Sequence, residues 1–134
     1  MRPTISLTDY KILRNLTLTI SPSLKIEEVA QLNRELDRAT IIEDGKLSDN
    51  IVRLNSLVEI LEFESGVTTS VEIVLPEYAD LKARKISVLA PVSIALLGFK
   101  KDDNIEWQMP GGLKRIQIIS VTNKQHIIPI PSEE

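Results

Sequence analysis

The sequence contains no cysteine and a single histidine. Without thiols there is no disulfide framework, no thiolate zinc site and no cysteine nucleophile, and the composition suits a reducing compartment. His126, near the C-terminal end, has no ligating companion and reads as a solvent-exposed residue rather than a base or a metal ligand. Aromatic residues are scarce at 4%. Tyr10, Phe63, Tyr78, Phe99 and Trp107 are scattered, so the core must be built from Ile, Leu and Val. Trp107 reads as a core or sheet-face residue rather than a ligand platform. No stretch approaches the ~20 consecutive apolar residues of a membrane span, and Met1 to Leu7 lack the apolar segment of a secretory signal. The expected location is cytoplasmic, with no membrane partner.

A basic surplus is also missing. Sixteen Lys and Arg against nineteen Asp and Glu leave a formal charge of −3, which argues against direct sequence-specific binding of nucleic acid. The run Lys82-Ala83-Arg84-Lys85 has no interleaved aromatics and reads as a solvated loop, as does the mixed-charge turn Lys100-Lys101-Asp102-Asp103. There is no G-x-S-x-G, no P-loop and no G-x-G-x-x-G.

What is present is the balance of a globular chain, 43% hydrophobic and 26% charged over 134 residues, enough for one domain or a compact domain with a small helical attachment. The hydrophobic period changes near Gly45. Before it, Thr8 is placed to cap a helix carrying Asp9 at its positive end and Ile12, Leu13 and Leu16 on one face. The β-branched run Thr17 to Ile20 is weak as helix, and Ser21-Pro22-Ser23 forms a turn. Ser23 is placed to cap a second helix, with Glu27 and Glu28 in its first turn. Its seam of Ile26, Val29, Leu32, Leu36 and Ala39 extends to about Ile42. The pair predicts a short antiparallel hairpin over residues 1–45, of coiled-coil type.

Residues 46–134 read as strands and turns. Strands are predicted over Ile51 to Glu64, Thr68 to Leu75, Lys85 to Leu89, Asn104 to Met109 and Leu113 to Val121. Pro91 starts a short helix that Gly98 ends. Pro110-Gly111-Gly112 is a tight turn, and the tail after Thr122 reads as frayed. The fold class is α+β: a helical hairpin followed by an antiparallel sheet with one short helix on its face.

The segment from Ile86 through Ala90-Pro91-Val92 to Ala95-Leu96-Leu97-Gly98 resembles the signature of the C-terminal domain of the Gre transcript-cleavage factors. The resemblance continues through Lys101-Asp102-Asp103, Ile105-Glu106-Trp107, Pro110-Gly111-Gly112 and the closing strand Ile116 to Val121. The opening Arg2-Pro3-Thr4-Ile5, the helix end Glu35-Leu36-Asp37-Arg38-Ala39 and the strand Asn50 to Val58 are similar to the branch of regulators of nucleoside diphosphate kinase (Rnk). That branch also has Ala before the Pro, as at Ala90, where the cleavage factors usually have Ser.

This resemblance implies an FKBP-like fold and a bacterial transcription regulator that binds RNA polymerase at the rim of its secondary channel. Docking would fall to the loop before the Pro-initiated helix, here Leu89, Ala90, Pro91 and Val92. Gre factors often carry a polar or acidic residue in place of Leu89. Leu89 and Val92 have two open readings, as docking residues or as core residues. Cleavage factors deliver carboxylates to the catalytic magnesium from a long hairpin's tip. The tip here, Thr19 to Ser23, has no carboxylate, and the hairpin is short. The expectation is therefore a protein without catalytic, metal or cofactor site that competes with Gre factors; the alternative is a transcript-cleavage or anti-arrest factor. Prolyl isomerase activity, which some proteins of FKBP-like fold carry, would need an aromatic-lined pocket that five scattered rings do not supply.

Overall fold

The computed structural model describes residues 2–19, 26–109 and 111–123. The expected turn at Ser21 to Ser23, the Ser23 cap, Pro110, His126 and the tail beyond Asn123 lie outside the described residues; Asn123 itself, expected in a frayed tail, is buried. Two helices, α1 (Leu7–Thr19) and α2 (Ile26–Arg38), form the N-terminal hairpin. Each is 13 residues long, or about 20 Å at 1.5 Å per residue.

The cap of α1 is Ser6 and not Thr8. The Asp9 amide donates to Ser6 Oγ at 3.1 Å, while the Thr8 amide reaches out to Asp44 Oδ1 at 3.0 Å. Asp9 does more than face a helix dipole, because its Oδ2 accepts from the Leu54 amide at 2.9 Å and ties the hairpin to the turn that leads into the sheet. The end of α1 stays helical despite its β-branched residues. Thr17 and Thr19 satisfy their hydroxyls by donating back to the carbonyls of Arg14 and Leu16, at 2.8 and 3.2 Å, which keeps these side chains from competing for the backbone.

The second helix stops at Arg38, short of the expected Ile42. Thr40–Ile42 is instead strand β2, pairing in parallel with β1 (Thr4–Ser6). The Thr40 amide donates to Pro3 O at 2.9 Å, so an available partner and β-branched chemistry override the helical seam. Arg14 clasps the two helices. Its guanidinium donates to Asn33 Oδ1 at 2.8 Å, to Asp37 Oδ1 at 2.5 Å and to the Tyr10 hydroxyl at 3.1 Å.

A five-stranded sheet follows, in the order β5 (Lys85–Ser87), β4 (Thr68–Val74), β3 (Leu57–Glu62), β7 (Gly112–Thr122) and β6 (Asn104–Met109). It is antiparallel except at one edge, where β5 runs parallel to β4. The connection between them folds into two single turns of 3₁₀ helix, Pro76–Tyr78 and Leu81–Ala83. These reverse the chain without a long helix.

Strand β3 begins at Leu57, later than the expected Ile51, because Val52 to Ser56 closes a turn. Ser56 Oγ accepts from the Arg53 amide at 2.8 Å, and Asn55 takes φ +72°. Ser56 in turn donates to Asn123, whose amide group donates to the carbonyls of Asp49 and Ile51 at 2.7 and 3.1 Å. This buried polar knot closes the far end of β7.

The short helix α3 (Pro91–Leu96) lies against one face of the sheet, the FKBP-like arrangement. A single cluster of buried side chains joins Leu13, Leu32 and Leu36 of the hairpin to Ile94 and Leu96 of α3 and Ile73 and Ile118 of the sheet. Each such aliphatic chain contributes ~1.5–3 kcal/mol by leaving water.

Candidate functional site

The loop that enters α3 is held from both sides. The Val88 amide donates to Val74 O at 2.7 Å, and the Ala90 amide to Ser87 O at 2.9 Å. Ser87 Oγ accepts from the Leu89 amide at 3.1 Å. Ala90, in the extended region at φ −67° and ψ 145°, offers no side-chain cap, and Pro91 follows in the first helical turn. Proline suits that place because its missing N–H would have had no helical partner there, and its fixed φ is already helical. Helix α3 buries Ser93, Ile94, Ala95 and Leu96.

Gly98 ends it at φ +86°, its carbonyl accepting from the Thr4 amide at 2.9 Å and its amide donating to Val52 O at 2.9 Å. A β-carbon there would stand 2.4 Å from Pro3 Cβ. Only glycine fits both the backbone angle and the approach of β1.

The four loop residues do not share one fate. Leu89 is 6% exposed and joins the core, so its side chain is not available to a partner. Ala90 and Pro91 are partly exposed. Val92 packs against the core and also lines a groove between α3 and the concave face of the sheet.

That groove has a volume of about 210 Å³. Val92 and Ala95 form its helical side, Ile60 and Ile116 are contributed by the sheet, and Trp107 is its one aromatic wall. At the rim, Lys114 Nζ lies 3.6 Å from Glu62 Oε2. Ile60, Trp107 and Ile116 fall on one face of neighbouring strands, which period-two alternation could have revealed. That the described residues leave this part of the face uncovered follows only from how α3 is seated.

Among the described residues no cluster of three or more His, Cys, Asp or Glu could hold a metal ion, and no helix is long and apolar enough to cross a membrane. At the joint between hairpin and sheet, burial raises the Asp9 carboxyl above its ordinary 3.8, opposed by the Leu54 amide and Arg53. Hydrogen bonds from Thr8 lower that of Asp44. Both groups serve backbone amides and stand apart from the groove lining.

Comparison with known proteins gives this geometry a context. The family described as "Transcription elongation factor, GreA/GreB, C-term" matches residues 47–123. Transcription elongation factor GreA of Rhodospirillum rubrum is 39% identical over 93 residues, covering 69% of this chain and 59% of that protein. The regulator of nucleoside diphosphate kinase of Escherichia coli is 34% identical over 113 residues, covering 84% of this chain and 83% of that protein. The chain thus spans about three fifths of the length of this GreA relative. A solved GreA/GreB elongation factor from Nitrosomonas europaea, 34% identical, matches 92% of this chain and 99% of its own with a TM-score of 0.72. With the family matched across more than half its length and the regulator matched over most of both chains, this protein belongs to the Gre transcription elongation factor superfamily, in its Rnk branch.

Proposed function

We propose that this protein is a non-catalytic regulator that binds RNA polymerase near the mouth of its secondary channel and competes there with Gre factors. The observation that carries this reading is that Val92, next in the chain to the partly exposed Ala90 and Pro91, lines the apolar groove on the domain that the Gre family shares. Docking of this kind needs shape and apolar contact rather than chemistry, and the groove offers both. Leu89 takes part only by holding the loop in place from the core. In this reading residues 46–134 dock and residues 1–45 occupy the entrance.

Transcript cleavage would require carboxylates carried deep into the enzyme to hold a metal and orient water. Helices of about 20 Å have little reach. Residues Ile20 to Lys25 between them contain no Asp or Glu. The alternative, a cleavage or anti-arrest factor, is favoured by one finding, the likeness to GreA proteins at 39% identity.

A competition experiment tests the proposal. The protein should form a stoichiometric complex with core RNA polymerase and be displaced by a Gre factor. No complex at micromolar concentration overturns it. Stalled elongation complexes with labelled RNA should show no shortening of the transcript in magnesium when the protein is added; shortening would establish the cleavage reading.

A further inference from the structure

Trp107 is the chain's single tryptophan, and its indole nitrogen is buried without a hydrogen-bond partner among the described residues. Such orphan donors are rare, because burial removes their water and nothing replaces it. The indole stands between two cavities. One is the apolar groove beside Val92; the other is a cleft of about 210 Å³ toward α2, with Glu35, Arg38 and Glu106 in its lining. Among the described residues, no group lining either cavity accepts from it. In the cleft, Glu35 is engaged by Arg38 at 3.0 Å. At the groove rim, Glu62 is paired with Lys114, which lies directly opposite Trp107 in the β6–β7 register.

The groove's size and lining restrict what would satisfy the donor. At about 210 Å³ it is smaller than the ~300–1,000 Å³ of small-molecule sites, yet roomier than the ~150 Å³ cavity that accepts benzene. It has room for one large apolar side chain. The rim's two charges already answer each other, so a neutral acceptor suits the site better than a carboxylate or phosphate. A peptide segment brings both parts, an apolar side chain and the backbone carbonyl beside it.

We propose that Trp107 is the recognition donor of this groove: on docking, its Nε1–H donates to a backbone carbonyl of an RNA polymerase segment whose apolar side chain fills the cavity. The inference rests on the polymerase-binding reading above and names the residue that gives that site its specificity. The nitrogen is shielded in the free protein, so in this proposal the groove lining shifts as the segment enters. Lys114 and Glu62 are 40% and 34% exposed, and a pair so open to solvent is weakly held.

The test uses the full-length protein and core RNA polymerase. Trp107→Phe, and separately replacement of Trp107 by benzothienylalanine, which keeps the ring's size and loses the N–H, are compared with the unaltered protein. Dissociation constants and urea unfolding curves are measured for all three. Both variants should bind polymerase roughly 5- to 10-fold more weakly, the worth of one hydrogen bond. The benzothienylalanine protein should unfold at the same urea concentration or a higher one, because it has lost only an unsatisfied donor. A residue that merely packs would give the reverse for Phe, lower stability with unchanged affinity. Unchanged affinity in the benzothienylalanine protein overturns the inference and leaves the polymerase reading standing. Absence of binding by the unaltered protein overturns both.

Discussion

Gly98→Ala offers a sharp test of how the chain's two halves are joined. Alanine at φ +86° carries the left-handed penalty of ~1–2 kcal/mol. Its β-carbon would also meet Pro3 Cβ at 2.4 Å, with Pro3 Cα and Thr4 N both at 2.9 Å. Two of these three atoms are backbone, so relief requires β1 to move. Movement weakens the bond from the Thr4 amide to Gly98 O, now 2.9 Å, and disturbs Ile5 in the core. Overpacking of this sort costs ~1–3 kcal/mol, giving a total of roughly 2–5 kcal/mol.

Gly66 is the internal control. It has φ +71° but open space around its missing side chain, so Gly66→Ala should cost only the conformational ~1–2 kcal/mol. Urea unfolding at equilibrium, supported by thermal melts, measures both. For a chain of this size a loss of 1 kcal/mol lowers Tm by about 3–5 °C. Gly98→Ala should therefore melt several degrees below Gly66→Ala while still folding, because total stability is ~5–15 kcal/mol. Equal losses in the two variants would refute the close approach of Pro3 as the reason for glycine.

Asp9 supplies a pH prediction. Its carboxyl is raised in the folded protein, chiefly by burial, so its contribution is fully present below its unfolded value and is lost as pH rises through the folded one. Asp9→Asn, whose carbonyl still accepts the Leu54 amide, should gain on the parent protein as pH is raised from 3 to 7. Asp9→Ala should lose ~1–3 kcal/mol at neutral pH by orphaning that amide; denaturant curves across pH decide both. In the hairpin, the Arg14–Asp37 pair has side-chain exposures of 28% and 69%, so a double-mutant cycle should give a coupling of only ~0.2–1 kcal/mol. Arg14→Ala alone should cost more, since it also removes the contacts to Asn33 and Tyr10. Leu32→Ala in the shared core should cost ~2–5 kcal/mol, against less than ~0.5 kcal/mol for exposed Leu18→Ala. Far-ultraviolet dichroism and Trp107 fluorescence should follow one common transition in the Leu32 variant; two separated transitions would show that hairpin and sheet unfold independently.

Local chemistry determined by itself a good part of this protein. Leu32 and Leu36 announce a packing seam by their spacing, and alternation marks Thr68 to Val74 as a strand. Pro91 and Gly98 bound a short helix because one lacks an N–H and the other tolerates positive φ. The family signature is written on those same residues. Tertiary structure decided whatever depends on a distant partner. Thr40 to Ile42 left the helical register because β1 lay open to pair with it. Ser6 and not Thr8 became the cap because the helix begins at Leu7, where distant Asp44 accepts the Thr8 amide left over in its first turn. Strand β5 became parallel because two 3₁₀ turns reversed its approach. Leu89 went to the core while Val92, three residues on, reached the groove wall, since the loop's hydrogen bonds to Val74 and Ser87 set which way each side chain turns. The groove itself, with a Trp107 nitrogen unpartnered among the described residues, exists only because of how α3 is seated on the sheet.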